Sequence, residues 1–84
     1  MPRYIDQHPM KPLKAEQLRE LQKQKSDEFG VSHHDIIFSE KDNMVWCVLD
    51  APNKEAIEKH HAKAKIKPDL IYEVESTRKS TTPP

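Results

Sequence analysis

The sequence predicts a single α+β domain with the element order β-α-β-β-α-β. Three observations carry that expectation. Residues 31–39 and 44–49 are rich in β-branched and aromatic side chains and flank a turn-forming stretch, Glu40 to Asn43, so they predict a hairpin. Residues 13–29 and 54–64 are helix-forming in composition, with no Gly or Pro inside, and lie on either side of that hairpin. Short strand candidates at residues 3–8 and 69–75 open and close the pattern.

Taken in order, the first strand is diluted by Asp6 and Gln7 and is stopped by Pro9 and Pro12. Neither proline donates to a ladder, and Pro12 suits the first position of a helix. Ala15, Leu18, Leu21 and Phe29 give the first helix a narrow apolar face. Gly30, the only glycine, stands where a left-handed residue after a helix belongs. Beyond the hairpin, Ala51 and Pro52 break the strand and Asn53 is a suitable N-cap for the second helix. Glu55 faces Lys59 one turn on, and Ala56, Ile57, His60 and Ala64 fall on one side. Pro68 precedes the last strand. Residues 76–84 hold no large apolar side chain and are expected to be a disordered tail, leaving a domain over residues 1–75. Two split βαβ units in this order make a ferredoxin-like arrangement: a four-stranded antiparallel sheet with two helices on one face.

Composition narrows the function. A chain of 84 residues buries only roughly 60% of its unfolded surface. With 35% hydrophobic and 33% charged residues its core is thin, so a homodimer covering the open sheet face is expected. Fourteen basic residues balance fourteen acidic ones, which removes the main electrostatic reason for nucleic-acid or membrane binding. One cysteine excludes an internal disulfide framework and fits a reducing compartment. The first residues lack an apolar signal core and no apolar run approaches ~18 residues. A soluble, cytoplasmic protein is expected.

Five histidines raise the question of a metal. His33 and His34 are adjacent on a strand and leave opposite faces. His60 and His61 are adjacent on a helix, about 100° apart, without the i, i+4 spacing of a helical chelate. Asp6 and His8, at i and i+2 on a strand, share a face with bases roughly 6.5 Å apart, so they can reach one ion. His60 lies in the second helix's apolar stripe, where a histidine is more often a core or interface residue than a ligand; His61 lies at its edge and is expected to be solvated. Cys47 shares a strand face with Val45 and Leu49, which predicts a small hydrophobe with a raised pKa. Trp46 takes the other face with Met44 and Val48. No nucleophile elbow, P-loop, dinucleotide turn, CxxC or HExxH is present, so no catalytic or organic-cofactor residues are assigned.

Met1, Pro2, Tyr4, Asp6 and His8, then Phe29, Gly30 and Val31, then Cys47 with Ala51 and Pro52, then His60, and finally Ile71, Tyr72, Glu73 and Val74, occur in an order and spacing that resembles one family. It is a group of small nickel-binding, ferredoxin-like proteins, largely known as a domain of unknown function, and the resemblance covers residues 1–75. It implies a subunit, usually of a homodimer, that binds a divalent transition metal, with nickel favoured over zinc or copper. It also places Asp6, His8, Cys47 and His60 among recurrent polar positions. Two departures stand out: Arg19 where many members carry a histidine, and Ala64 where many have a second one.

The resulting expectation is a non-catalytic metal-binding protein whose ligands are Asp6, His8, His60 and, from the hairpin, His34. If the helices cover the face of Ile5, Asp6 and His8 point away from His60 and the site has to span two protomers. The alternative is a small cofactor-free enzyme of the dimeric ferredoxin-like barrel type, an oxygenase or isomerase, with His60, His8 or Tyr72 as general base. A third reading is a dimerisation module with incidental histidines.

Overall fold

The computed structural model describes residues 2–77. Its elements are β1 (Arg3–Pro9), α1 (Ala15–Lys23), β2 (Ser32–Ser39), β3 (Met44–Asp50), α2 (Lys54–Ala64) and β4 (Leu70–Val74). The strands form one antiparallel sheet in the order β2-β3-β1-β4. This is the ferredoxin-like fold, with all six elements in the expected sequence. Most of the tail expected after residue 75 lies outside the described residues. Among the described residues, no helix is long and apolar enough to cross a membrane.

Strand alternation decides what each sheet face holds. Tyr4, Asp6 and His8 of β1 and Val45, Cys47 and Leu49 of β3 all point under the helices and are buried. Leu18 of α1 and Ala56 and Ile57 of α2 close over them, with Met10 and Val31 at the margins. Leu49 and Ile57, both fully excluded from solvent, each contribute about 1.5–3 kcal/mol by that burial. Ile5, Gln7, Trp46 and Val48 occupy the opposite, open face. There Trp46 Nε1 donates to Gln7 Oε1 at 3.1 Å, Arg3 pairs with its cross-strand neighbour Asp50 at 3.0 Å, and Ile37 and Tyr72 stand 52% and 61% exposed. The helices thus cover Asp6 and His8, not Ile5.

α1 is shorter than its composition suggests. It starts at Ala15, after an extended Lys14 whose backbone N–H donates to Gln17 Oε1 at 2.8 Å. It stops at Lys23 instead of continuing to Phe29, because Asp27 offers the chain a competing local structure. Asp27 Oδ1 accepts from the amides of Phe29 (2.9 Å) and Val31 (3.0 Å), while the Gly30 amide donates to the Asp27 carbonyl at 3.0 Å. A short carboxylate that satisfies nearby amides favours a turn over a helix. Gly30 does have a positive φ of 81°, but inside this turn, seven residues past the helix end.

α2 follows its sequence signals closely. Asn53 Oδ1 accepts from the Ala56 amide at 2.8 Å, and Lys65 in the left-handed region (φ 58°) closes the other end by donating to Ala62. The docked face is turned from the expected one: Ala56 and Ile57 are buried as expected, but His61, expected to be solvated, takes the place of His60 and Ala64. Ile57 and His61, one turn apart, are buried, while Ala64 is exposed and His60 is half-buried. β2 carries a bulge between His33 and Asp35. Gln22 of α1 spans it, donating to the carbonyls of His33 (3.1 Å) and His34 (3.3 Å).

Candidate metal centre

In the β1–β3 ladder Asp6 stands directly opposite Cys47. Both side chains point under the helices, so a carboxylate meets a thiol inside the core. His8, two residues along β1, adds an imidazole on the same face. Potential ligand atoms of Asp6, His8 and Cys47 all lie within 4.8 Å of one another, at residue exposures of 0%, 3% and 5%.

Hydrogen bonding sets the direction of each histidine. The His8 Nδ1 lies 2.8 Å from the Pro9 carbonyl. A carbonyl can only accept, so Nδ1 carries the proton and Nε2 keeps its lone pair, the arrangement usual for metal-binding imidazoles. α2 brings in a second ring. The His61 Nδ1 donates to the Ile57 carbonyl one turn back at 2.8 Å, which turns Nε2 to within 3.0 Å of Asp6 Oδ2. The rings of His8 and His61 meet edge to face with centroids 6.1 Å apart.

Asp6 is the anomaly of the core. It is fully buried, and the His61 Nε2 at 3.0 Å from Oδ2 satisfies it only when that nitrogen carries a proton. With His61 Nδ1–H committed to a carbonyl, a neutral His61 would present a lone pair to a carboxylate oxygen. Two electron-rich atoms at that distance call for a cation or a proton between them. Burial acts to lower the His61 pKa, but Asp6 outweighs it and holds the ring above its ordinary value. Burial, and then the Asp6 charge, pushes the Cys47 thiol far up; without a cation it stays protonated. A divalent ion would reverse that, because a coordinating thiol is deprotonated. The donor set of one carboxylate, one free imidazole nitrogen and one thiol fits such an ion, with His61 as the outer partner that fixes Asp6.

A family model described as nickel responsive protein SCO4226-like matches residues 4–74. The chain belongs to that family. No curated protein and no solved structure matches it. In this SCO4226-like protein, Arg19 and Ala64, the two departures noted above, lie apart from the cluster: the Arg19 guanidinium sits 6.0 Å from the centre of the Phe38 ring, and Ala64 is exposed.

Of the ligands expected from sequence, the structure brings Asp6 and His8 together and leaves His60 and His34 elsewhere. His60 Nδ1 meets Asp27 Oδ2 at 2.5 Å, and His34 is exposed at the bulge. Burial acts to raise the Asp27 pKa, but His60 and the Val31 and Phe29 amides outweigh it and hold the carboxyl low. His33 faces inward beside His60, and burial, followed by the His60 charge, lowers it to about 4. Cys47 and His61 are the members that sequence reasoning set aside. A paired register would have found the first, since Cys47 only gains a polar neighbour across the strand. The i, i+4 relation of Ile57 and His61 was the available signal for the second.

Proposed function

We propose that this protein is a non-catalytic binder of a divalent transition metal, nickel first, with Asp6, His8 and Cys47 as ligands and His61 holding Asp6 in place. The observation that carries the reading is the Asp6 carboxylate, 0% exposed, with a His61 nitrogen 3.0 Å from Oδ2 and an imidazole and a thiol beside it. When His61 is neutral, that buried charge costs several kcal/mol unless a cation compensates it. Imidazole, carboxylate and thiolate together suit nickel, zinc or copper, and the family description supports nickel among them. A ligating lone thiol has to stay reduced, so we assign the protein to the cytoplasm.

Nickel chloride titrated into the metal-free protein is expected to fill about one tight site per chain and to release at least the Cys47 proton at pH 7. Calorimetry in buffers of different ionisation enthalpy reads both quantities. His8→Ala and Cys47→Ser should each weaken binding by more than about 100-fold, beyond the range typical of outer-shell changes. Wild-type affinity in both variants would overturn the assignment.

The open face supports a homodimer. Ile5, Val48, Trp46, Ile37 and Tyr72 present an apolar sheet surface on a chain with a thin core, and pairing two such faces is the simplest cover. Sedimentation equilibrium should find dimers in the wild type and monomers after Ile37→Lys with Tyr72→Lys. A wild type that is monomeric at micromolar concentration contradicts this pairing.

A further inference from the structure

We infer that the cleft between α2 and β4 binds a free α-amino acid with a branched or aromatic apolar side chain. None of Asp6, His8 and Cys47 lines this cleft, so the site stands apart from the metal centre and does not depend on it.

The cleft has a volume of about 400 Å³. α2 supplies one wall: Lys54, Glu58 and Ala62 follow one another at four-residue intervals, so they share one side of the helix, and all three are exposed. The opposite wall is apolar. It is made by Ile66 and Pro68 of the connection after α2 and by Ile71 of β4, each half-buried. Ile71 pairs with Asp6 across the sheet and so faces the helices as Asp6 does. His61 also lines the cleft, but its Nδ1 donates to the Ile57 carbonyl and its Nε2 faces Asp6. It therefore offers the cleft ring carbons and no free nitrogen.

The charges around the cleft are not neutralised within the chain. Glu55 and Lys59 pair across one turn of α2 at 3.7 Å. Lys54 and Glu58 have the same spacing yet form no ion pair, and Lys67, which also borders the cleft, forms none among the described residues. Two ammonium groups and one carboxylate thus stand beside an apolar wall. A carboxylic acid alone would satisfy the lysines and meet Glu58 as a like charge. An amine alone would do the reverse. A zwitterion satisfies both, its carboxylate on Lys54 and Lys67 and its ammonium on Glu58, while its side chain covers Ile66, Pro68 and Ile71. The volume lies near the lower end of small-molecule sites, about 300–1,000 Å³, which suits a single amino acid and not a longer peptide.

L-leucine and L-phenylalanine are the probes, titrated into the metal-free protein because amino acids chelate nickel. Amide NMR shifts should saturate with a Kd below about 1 mM and cluster at Ala62, Ile66 and Ile71. Two fragments of leucine test the charges: 4-methylpentanoate lacks the ammonium and 3-methylbutylamine lacks the carboxylate. Each should bind about 5-fold or more weakly than leucine. Glu58→Gln should weaken leucine by a similar factor and leave 4-methylpentanoate unchanged. Lys54→Gln with Lys67→Gln should weaken leucine and leave 3-methylbutylamine unchanged. Ala62→Phe fills the cleft from an exposed position, so it should abolish binding of all four compounds while the thermal midpoint stays at the wild-type value.

No saturable shift up to about 10 mM of either amino acid overturns the inference, as does leucine binding that survives Ala62→Phe. Binding of 4-methylpentanoate as tight as that of leucine, with no effect of Glu58→Gln, also overturns it and leaves a site for simple carboxylates.

Discussion

Nickel at a free concentration about 1,000 times its Kd should raise the thermal unfolding midpoint by roughly 15–30 °C. Binding to the native state alone contributes about 4 kcal/mol at that excess, and each kcal/mol moves a domain of this size by about 4–8 °C. The effect should vanish in Asp6→Asn and reverse when a chelator is added. Asp6→Asn should leave the metal-free protein at least as stable as the wild type. The amide carries no charge to bury and can donate to a neutral His61 Nε2, whereas the carboxylate needs that nitrogen to hold a proton. A full nickel shift retained by Asp6→Asn would remove Asp6 from the ligand set, whatever the affinity of the other variants.

His61→Ala is expected to cost the metal-free protein about 3–5 kcal/mol, because it strands the Asp6 charge in the core. Adding Asp6→Asn to it should recover most of that loss, a coupling that two independent cavities would not show. The pH dependence follows from the direction of each shift. His61 binds its proton more tightly in the folded chain, so its contribution is fully present below its unfolded value of 6.5 and is lost as pH rises through the higher folded value. His33 acts in the opposite sense. Held neutral by burial, with a folded value of about 4 against 6.5 unfolded, it lets the unfolded chain take up a proton first as pH falls across that window, lowering stability by about 2–3 kcal/mol. Asp27 adds stability above its unfolded value of 3.8 that is lost as pH falls through the lower folded one. Urea midpoints measured from pH 4 to 9 should therefore peak near neutrality. His61→Ala should flatten the alkaline side alone, and an alkaline decline that survives this change would break the pairing with Asp6.

The order of elements is legible in the sequence because each signal is local. Alternation marks β3, Asn53 starts α2, and Asn43, with φ 54°, makes the hairpin corner. The end of α1 is not legible in the same way: its composition favours a helix through Phe29, and only the hydrogen bonds of Asp27 show why the chain turns earlier. For the site, Asp6 and His8 can be paired from their spacing alone. Cys47 is a buried, high-pKa thiol, as its apolar neighbours suggest, yet its chemistry depends on the residue across the ladder, and register is a tertiary property. His61 was hidden by helix phase. With alanines at several positions the apolar stripe of α2 is weak, and docking against β1 selects Ile57 and His61 over the face containing His60 and Ala64.

The bulge in β2 has an evolutionary reading. In a regular strand Phe38, Ile36 and His34 would share the inner face. The one extra residue instead turns His33 toward α2 and leaves His34 outside. Deleting one codon of the His33–His34 pair would restore a regular strand with its single histidine on the inner face, without disturbing Ile36, Phe38 or the Asp6–Cys47 register. The extra residue therefore adds an exposed imidazole without displacing the inward one.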